Sequence, residues 1–355
     1  MENFQVSAPG RVCLFGEHQD YLSLSVVPSA INMRTVIKCH DIGTGGDEIR
    51  INALDLEKKI PVKISGEFSR DDPDASYFQA GIKVFELHGY LDKLQPFECD
   101  VTSQIPIKSG LSSSAALLVA WIKVLSDVIG ANLTPTEIGM RAYEAEHDVM
   151  GIPCGMMDQL SSAIGGIIHL KCVEPPVITP LDAKIEGLVV ADTKIRKSTS
   201  NVHTVRVRET KTGLENLREH VEFDLETTPF EKVEQHLKKL DEIERNRLIA
   251  VFKDRDITVK SLSLLRERPL NYQKIGELLN KHQMYLRDYF EVSVEKIDSI
   301  IENAIAHGAI GGKLTGAGLG GSIILLAPGK EDEVCDAILE RDGAPYKVSV
   351  DQGVE

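Results

Sequence analysis

Three consecutive serines, Ser112, Ser113 and Ser114, close the stretch Pro106-Ile107-Lys108-Ser109-Gly110-Leu111 and stand just ahead of an apolar run from Leu117 to Val128. A small-residue loop at a helix N-terminus turns unpaired backbone N–H groups and the positive end of the dipole toward one spot. Such a spot holds phosphate without net protein charge, and the serine hydroxyls add donors or one metal ligand. An ordinary serine N-cap with surplus serines has the same composition. Further on, Glu146 has Ala142 and Tyr143 one turn before it and Val149 and Met150 one turn after. A carboxylate bordered by apolar neighbours is costly unless it is paired or holds a cation, so Glu146 reads as a Mg²⁺ ligand or as half of a salt bridge at a domain seam. Asp158 follows the Pro/Gly turn Gly151-Ile152-Pro153-Cys154-Gly155 and fits a helix N-cap, or a base or orienting group for a hydroxyl nucleophile. Near the start, Gly10-Arg11 and the group Glu17, His18, Gln19, Asp20 flank one short apolar strand. Such a cluster suits a hydrogen-bonding grip on a polyol, or simply a charged turn.

Two familiar nucleotide motifs do not account for this chain. The Walker A pattern is absent, as is the protein-kinase set. Gly316-Ala317-Gly318-Leu319-Gly320-Gly321 satisfies GxGxxG, but an apolar strand follows it where a dinucleotide fold needs a helix. The glycines still mark a turn that something approaches closely.

The elements that must position these residues are readable from periodicity. Strands are expected at Arg11–Phe15, Ser25–Pro28, Thr35–Ile37, Glu48–Ile51, Val62–Ile64 and Glu98–Val101, with a Gly-rich turn from Asp41 to Gly46. Helices are expected at Ala80–Leu87 and Leu117–Val128. A third, opened by the capping box Thr134-Pro135-Thr136-Glu137, is expected to run to about Gly151. Pro175, Pro176 and Pro180 should loosen the chain before the strand Leu188–Ala191. From about Asn201 to His307 the chain reads as helical with its charges on solvated faces. The strand Ser322–Leu326, a helix around Glu331–Leu339 and a last strand Tyr346–Val350 follow. Strands first, helices in the middle and strands last predict an α+β chain of two domains, 1–187 and 188–355.

Composition narrows the function classes. The 355 residues carry 54 Asp+Glu against 40 Lys+Arg, a net charge of −14, which argues against general affinity for nucleic acid or anionic lipid. No apolar run approaches the ~20 residues that cross a bilayer, and the start lacks the pattern of a signal peptide. The six cysteines show no metal spacing and read as reduced thiols, so a cytoplasmic protein is expected. Nothing in the sequence sets the oligomeric state.

In order along the chain, GRVCLFGEHQDY, PIKSGLSSSAA and KLTGAGLGG resemble the three motifs of the GHMP small-molecule kinases, and EAEHDVMGIPCGMMDQ is similar to the galactokinase branch. The resemblance implies a two-domain GHMP kinase fold with the active site in the cleft between the domains, acting on a sugar and MgATP. It implies an ATP site at Lys108, Ser109, Gly110, Leu111, Ser112, Ser113 and Ser114, with Ser114 and Glu146 holding Mg²⁺. Asp158 then takes or orients the proton of the C1 hydroxyl, assisted by Arg11. Glu17, His18, Asp20 and Gly155 match sugar-holding positions, and His203 falls near a family tyrosine that contacts the sugar. Gln19, Leu22-Ser23-Leu24 and His203 depart from the galactokinase pattern. The expected activity is phosphorylation of the anomeric hydroxyl of galactose or a close relative. Another acceptor (a different hexose, a uronic acid, mevalonate) and a non-catalytic sugar sensor are the alternatives.

Overall fold

The structure, a computed structural model, describes residues 3–43, 46–196 and 199–355. The turn expected from Asp41 to Gly46 includes residues 44 and 45, which lie outside these.

Two sheets carry the fold. The first contains β1 (Phe4–Phe15), β2 (Ser25–His40), β3 (Glu48–Ala53), β4 (Lys58–Lys63), β5 (Glu98–Ser103), β6 (Ile167–Lys171) and β7 (Val177–Leu181). Its order is β4-β3-β5-β2-β6-β7, with β1 also paired to β2 and only β3 and β5 parallel. The second contains β8 (Leu188–Asp192), β9 (Gly311–Thr315), β10 (Ser322–Leu326) and β11 (Ala344–Val348) in the order β11-β8-β10-β9. Every residue of β8, β9 and β10 is buried, which explains the apolar reading of β8 and β10.

Helices α1 (Ser76–Leu87), α2 (Ser113–Ile129), α3 (Pro135–Glu144) and α4 (Met157–Ile164) accompany the first sheet. Trp121 of α2 is fully buried against Phe78 and Phe97, its indole donating to the Phe78 carbonyl at 3.0 Å. The helical segment supplies α5 (Thr199–Arg218), α6 (Phe230–Leu237), α7 (Glu242–Leu264), α8 (Tyr272–Asp288) and α9 (Glu295–Ala306), and α10 (Glu331–Glu340) packs on β11. One core joins the sheets: Val12, Leu14 and Phe15 of β1 share it with Val189, Ile324 and Leu325.

Three expectations change. Pro175 and Pro176 lie in the loop between β6 and β7 as expected, but Pro180 sits in β7, which pairs with β6 at the edge of the sheet; an edge strand tolerates the missing N–H. The capping box forms with both reciprocal bonds, but its helix loosens into a π turn at Ala145–Val149. Finally, not all charges of the helical segment are solvated: Arg247, Asp254, Arg255 and His282 are buried. Arg247 reaches Glu209 at 2.8 Å and Glu291 at 2.7 Å, bonds that its long fork can make only across helices.

Candidate active site

The phosphate-type loop takes its shape from backbone handedness. Lys108, Gly110 and Ser112 hold positive φ of 56°, 80° and 61°, an alternation that turns successive N–H groups to one side. At Gly110 a Cβ would stand 2.7 Å from the Thr315 carbonyl oxygen, so only glycine fits. No side chain caps the 17-residue α2, because Ser112, its N-cap residue, donates its hydroxyl to Asp158 Oδ2 at 2.5 Å instead. An uncapped N-terminus leaves donors for an anion. Ser109 donates to the Pro106 carbonyl at 2.7 Å and Leu111 is buried in the core, so these two offer backbone rather than side chain, whereas Lys108 is exposed.

Asp158 is the second residue of α4 and does not cap it; Met156 occupies the N-cap position. Its carboxylate is drawn instead to Arg11 of β1, which donates from Nε at 2.8 Å and from Nη2 at 2.7 Å. The third guanidinium nitrogen, Nη1, donates to the Gly110 carbonyl at 2.7 Å. Burial opposes the Arg11 charge, but Asp158 and Glu17 outweigh it and hold the guanidinium above its ordinary value. A bidentate pair of this kind fixes the position of the carboxylate.

Beside it, Glu146 lies in the π turn, 6% exposed, accepting from Gln159 Nε2 at 2.7 Å. Burial first, and Asp158 second, push this carboxyl up to about 7, while hydrogen bonds from Gln159 and Ser114 pull it down. Among the described residues no cationic side chain pairs with it. A buried carboxylate and a hydroxyl with no cation between them suit a divalent ion that keeps phosphate and water as its other ligands. Glu146 and Ser114 therefore fit Mg²⁺. Two neighbours escaped sequence reasoning. Gln159 adjoins Asp158 in sequence and was findable there. Tyr77, which burial and Glu146 push up to about 12 and which bonds Ser114, carries no sequence signal.

The opposite wall holds a cavity of about 410 Å³ lined by Asp20, Gly155 and His203 together with Tyr21, Cys154 and Lys211, within the ~300–1,000 Å³ range of small-molecule sites. A Cβ on Gly155 would fall 2.0 Å from Asp20 Oδ2, so the Asp20 carboxylate needs a glycine there. Burial, then Asp158 and Glu17, push Asp20 up to about 7. His18 stacks on His203 with ring centroids 5.8 Å apart and lies 4.8 Å from Phe290; burial and its cationic neighbours lower its basicity well below the ordinary value. Glu17 behaves differently. Its carboxylate is turned to Lys313 at 2.8 Å and to the Gly316 N–H at 3.0 Å, and it does not line the cavity among the described residues.

Three family models match the chain. The galactokinase galactose-binding signature matches residues 1–40, the GHMP kinases N terminal domain residues 76–166 and the GHMP kinases C terminal domain residues 261–343. A galactokinase of Thermotoga neapolitana is 30% identical over 329 residues, 91% of this chain and 89% of its own. The chain belongs to the GHMP kinases, in the galactokinase branch. It is a sugar kinase, and its family uses ATP. The structure of Lactococcus lactis galactokinase complexed with galactose superposes with a TM-score of 0.85 at 24% identity, covering 100% of this chain and 95% of that one. Methanococcus jannaschii mevalonate kinase gives 0.75 at 21% identity, with 99% of both chains covered. At those identities the likeness speaks for the fold. Among the described residues no helix is long and apolar enough to cross a membrane.

Proposed function

We propose that this kinase transfers the γ-phosphoryl group of MgATP to the anomeric C1 hydroxyl of a free monosaccharide, galactose first. The observation that carries this reading is the Asp158 carboxylate, clamped by Arg11 and Ser112 at the head of the phosphate loop. The loop amides from Lys108 to Ser114 receive the nucleotide phosphates, and the cavity of Asp20, Gly155, His203 and the neighbouring His18 receives the sugar. Asp158 accepts the C1 hydroxyl proton as that oxygen bonds to phosphorus and the bond to the ADP oxygen breaks. Arg11 holds Asp158 in place and offsets charge gathering on the transferring group. Ser114 and Glu146 would hold Mg²⁺, which neutralises the phosphate oxygens. The galactose-binding signature over residues 1–40 supports galactose, while Gln19, Leu22-Ser23-Leu24 and His203 point to a relative of it as the competing acceptor.

We divide the two domains at residues 187 and 188, since Leu188 opens the first strand of the second sheet. Six free cysteines suit a reducing compartment, and we assign the enzyme to the cytoplasm.

A panel of free sugars with MgATP, read by ADP release and by NMR location of the phosphate, tests the reading. Turnover of galactose with phosphate at C1 is expected. No turnover on any sugar would overturn it, and phosphate on another hydroxyl would correct the site of transfer.

A further inference from the structure

Glu17 and Lys313 are far apart in sequence, yet their side chains meet with 3% and 0% exposure. The Lys313 ammonium donates to Glu17 Oε2 at 2.8 Å, to the Cys13 carbonyl at 2.9 Å and to the Leu314 carbonyl at 2.7 Å. That uses all of its donors. The other oxygen, Glu17 Oε1, accepts the backbone N–H of Gly316 at 3.0 Å. Gly316 lies directly on the phosphate loop: a Cβ there would stand 3.0 Å from both Cα and O of Gly110. The same Gly110 oxygen accepts from Arg11, which holds Asp158. Contacts therefore run without a gap from Lys313 through Glu17, Gly316, Gly110 and Arg11 to Asp158. A second strap runs parallel, from the Thr315 hydroxyl to the Cys13 N–H at 3.0 Å. A buried ion pair adds little net stability, and its best-attested use is to fix one arrangement.

We propose that the Lys313–Glu17 pair is a positioning element, holding the Gly316 turn against the phosphate loop and thereby setting Arg11 and Asp158. The turnover part of the test rests on the sugar-kinase reading above; the exchange part does not. Hydrogen–deuterium exchange of peptides spanning residues 106–117 is measured on the nucleotide-free chain. Separately, kcat and the KM for sugar are measured on the sugar the wild type turns over best.

Lys313→Met is expected to speed exchange in 106–117 and to lower kcat about 10-fold or more, while the sugar KM stays within about 3-fold. Glu17→Gln/Lys313→Met should recover toward wild type in exchange, because no charge is left buried and the Gln carbonyl still accepts the Gly316 N–H. If Lys313→Met does not fold, Glu17→Leu/Lys313→Met takes its place; lacking an acceptor for Gly316, it should exchange faster in 106–117 than Glu17→Gln/Lys313→Met. Equal exchange in those two double variants overturns the proposal. So does folded Lys313→Met with wild-type exchange, and so does folded Lys313→Met whose kcat stays within about 3-fold of wild type. Should the wild type turn over no sugar, the sugar-kinase reading fails and the exchange result alone decides for or against the pair.

Discussion

The serine loop, whose Ser112 donates to Asp158, and the cavity proposed for the sugar, whose Asp20 and His203 feel the Asp158 charge, are built from different materials. The loop works with backbone: its serine and leucine side chains are largely spent on internal bonds and core, and its shape rests on three left-handed residues. The cavity works with side chains, among them a carboxylate pressed on Gly155 and a stack of two histidines. Backbone donors are the same in any sequence that can adopt the turn, so they suit a constant ligand such as a phosphate chain. Side chains differ from protein to protein, and they suit the part of the reaction that must choose among sugars.

The comparison breaks first at the junction. Asp158→Asn should fold normally and lose at least ~10²-fold in turnover, the usual scale for a lost base or orienting group; near-normal turnover would remove Asp158 from its role. Next come the two glycines, one on each side. Gly155→Ala pushes against Asp20 and should raise the sugar KM about 10-fold with the ATP KM unchanged, whereas Gly110→Ala, strained and blocked by Thr315, should do the reverse. Steady-state kinetics with each substrate varied in turn separates them, and a swapped pattern would exchange the two assignments.

A smaller effect is expected with pH. Glu146 and Asp20 are raised to about 7 from ordinary values of 4.5 and 3.8, so the folded chain binds their protons more tightly than the unfolded chain does. Stability from these groups is therefore full below their ordinary values and is lost as pH rises through about 7. The Tm of the nucleotide-free enzyme should fall from about pH 4.5 to about pH 7 and level off above it, and Glu146→Gln should flatten that slope. Over the same range kcat/KM for MgATP should rise with pH, since only ionised Glu146 can hold the cation; a flat profile would contradict that role. The smallest change belongs to Ser113→Ala, where a hydroxyl is lost but the amide stays: turnover within about 3-fold of wild type, measured in the same assay, would sharpen the contrast between backbone and side chain.

Much of the site was legible because its residues lie in short, ordered motifs. Arg11, the serine loop, Glu146 and Asp158 could each be nominated from local chemistry, and the capping box at Thr134 announced the helix that carries Glu146. What local pattern could not supply was the choice between two local readings. Asp158 had the spacing of an N-cap, and only the arrival of Arg11 from a strand far away in sequence drew its carboxylate elsewhere. Pro180 read as a loop because nothing in its neighbours says that β7 is an edge strand. Lys313 carried no local sign of its partner, because Glu17 reaches it from the other end of the chain.

The sequence by itself determined the helix and strand periods, the turns that only glycine can make, and the presence of a loop able to cradle phosphate, since all of these depend on residues within a few positions of one another. The tertiary structure decided which carboxylates face the cavity and which are spent on internal bonds. Glu17 and Asp20 are two turn residues three positions apart, yet one is locked to Lys313 and the other faces the cavity beside Gly155. A carboxylate's role is set by the charge and solvent around it, and here those come from strands and helices hundreds of residues away.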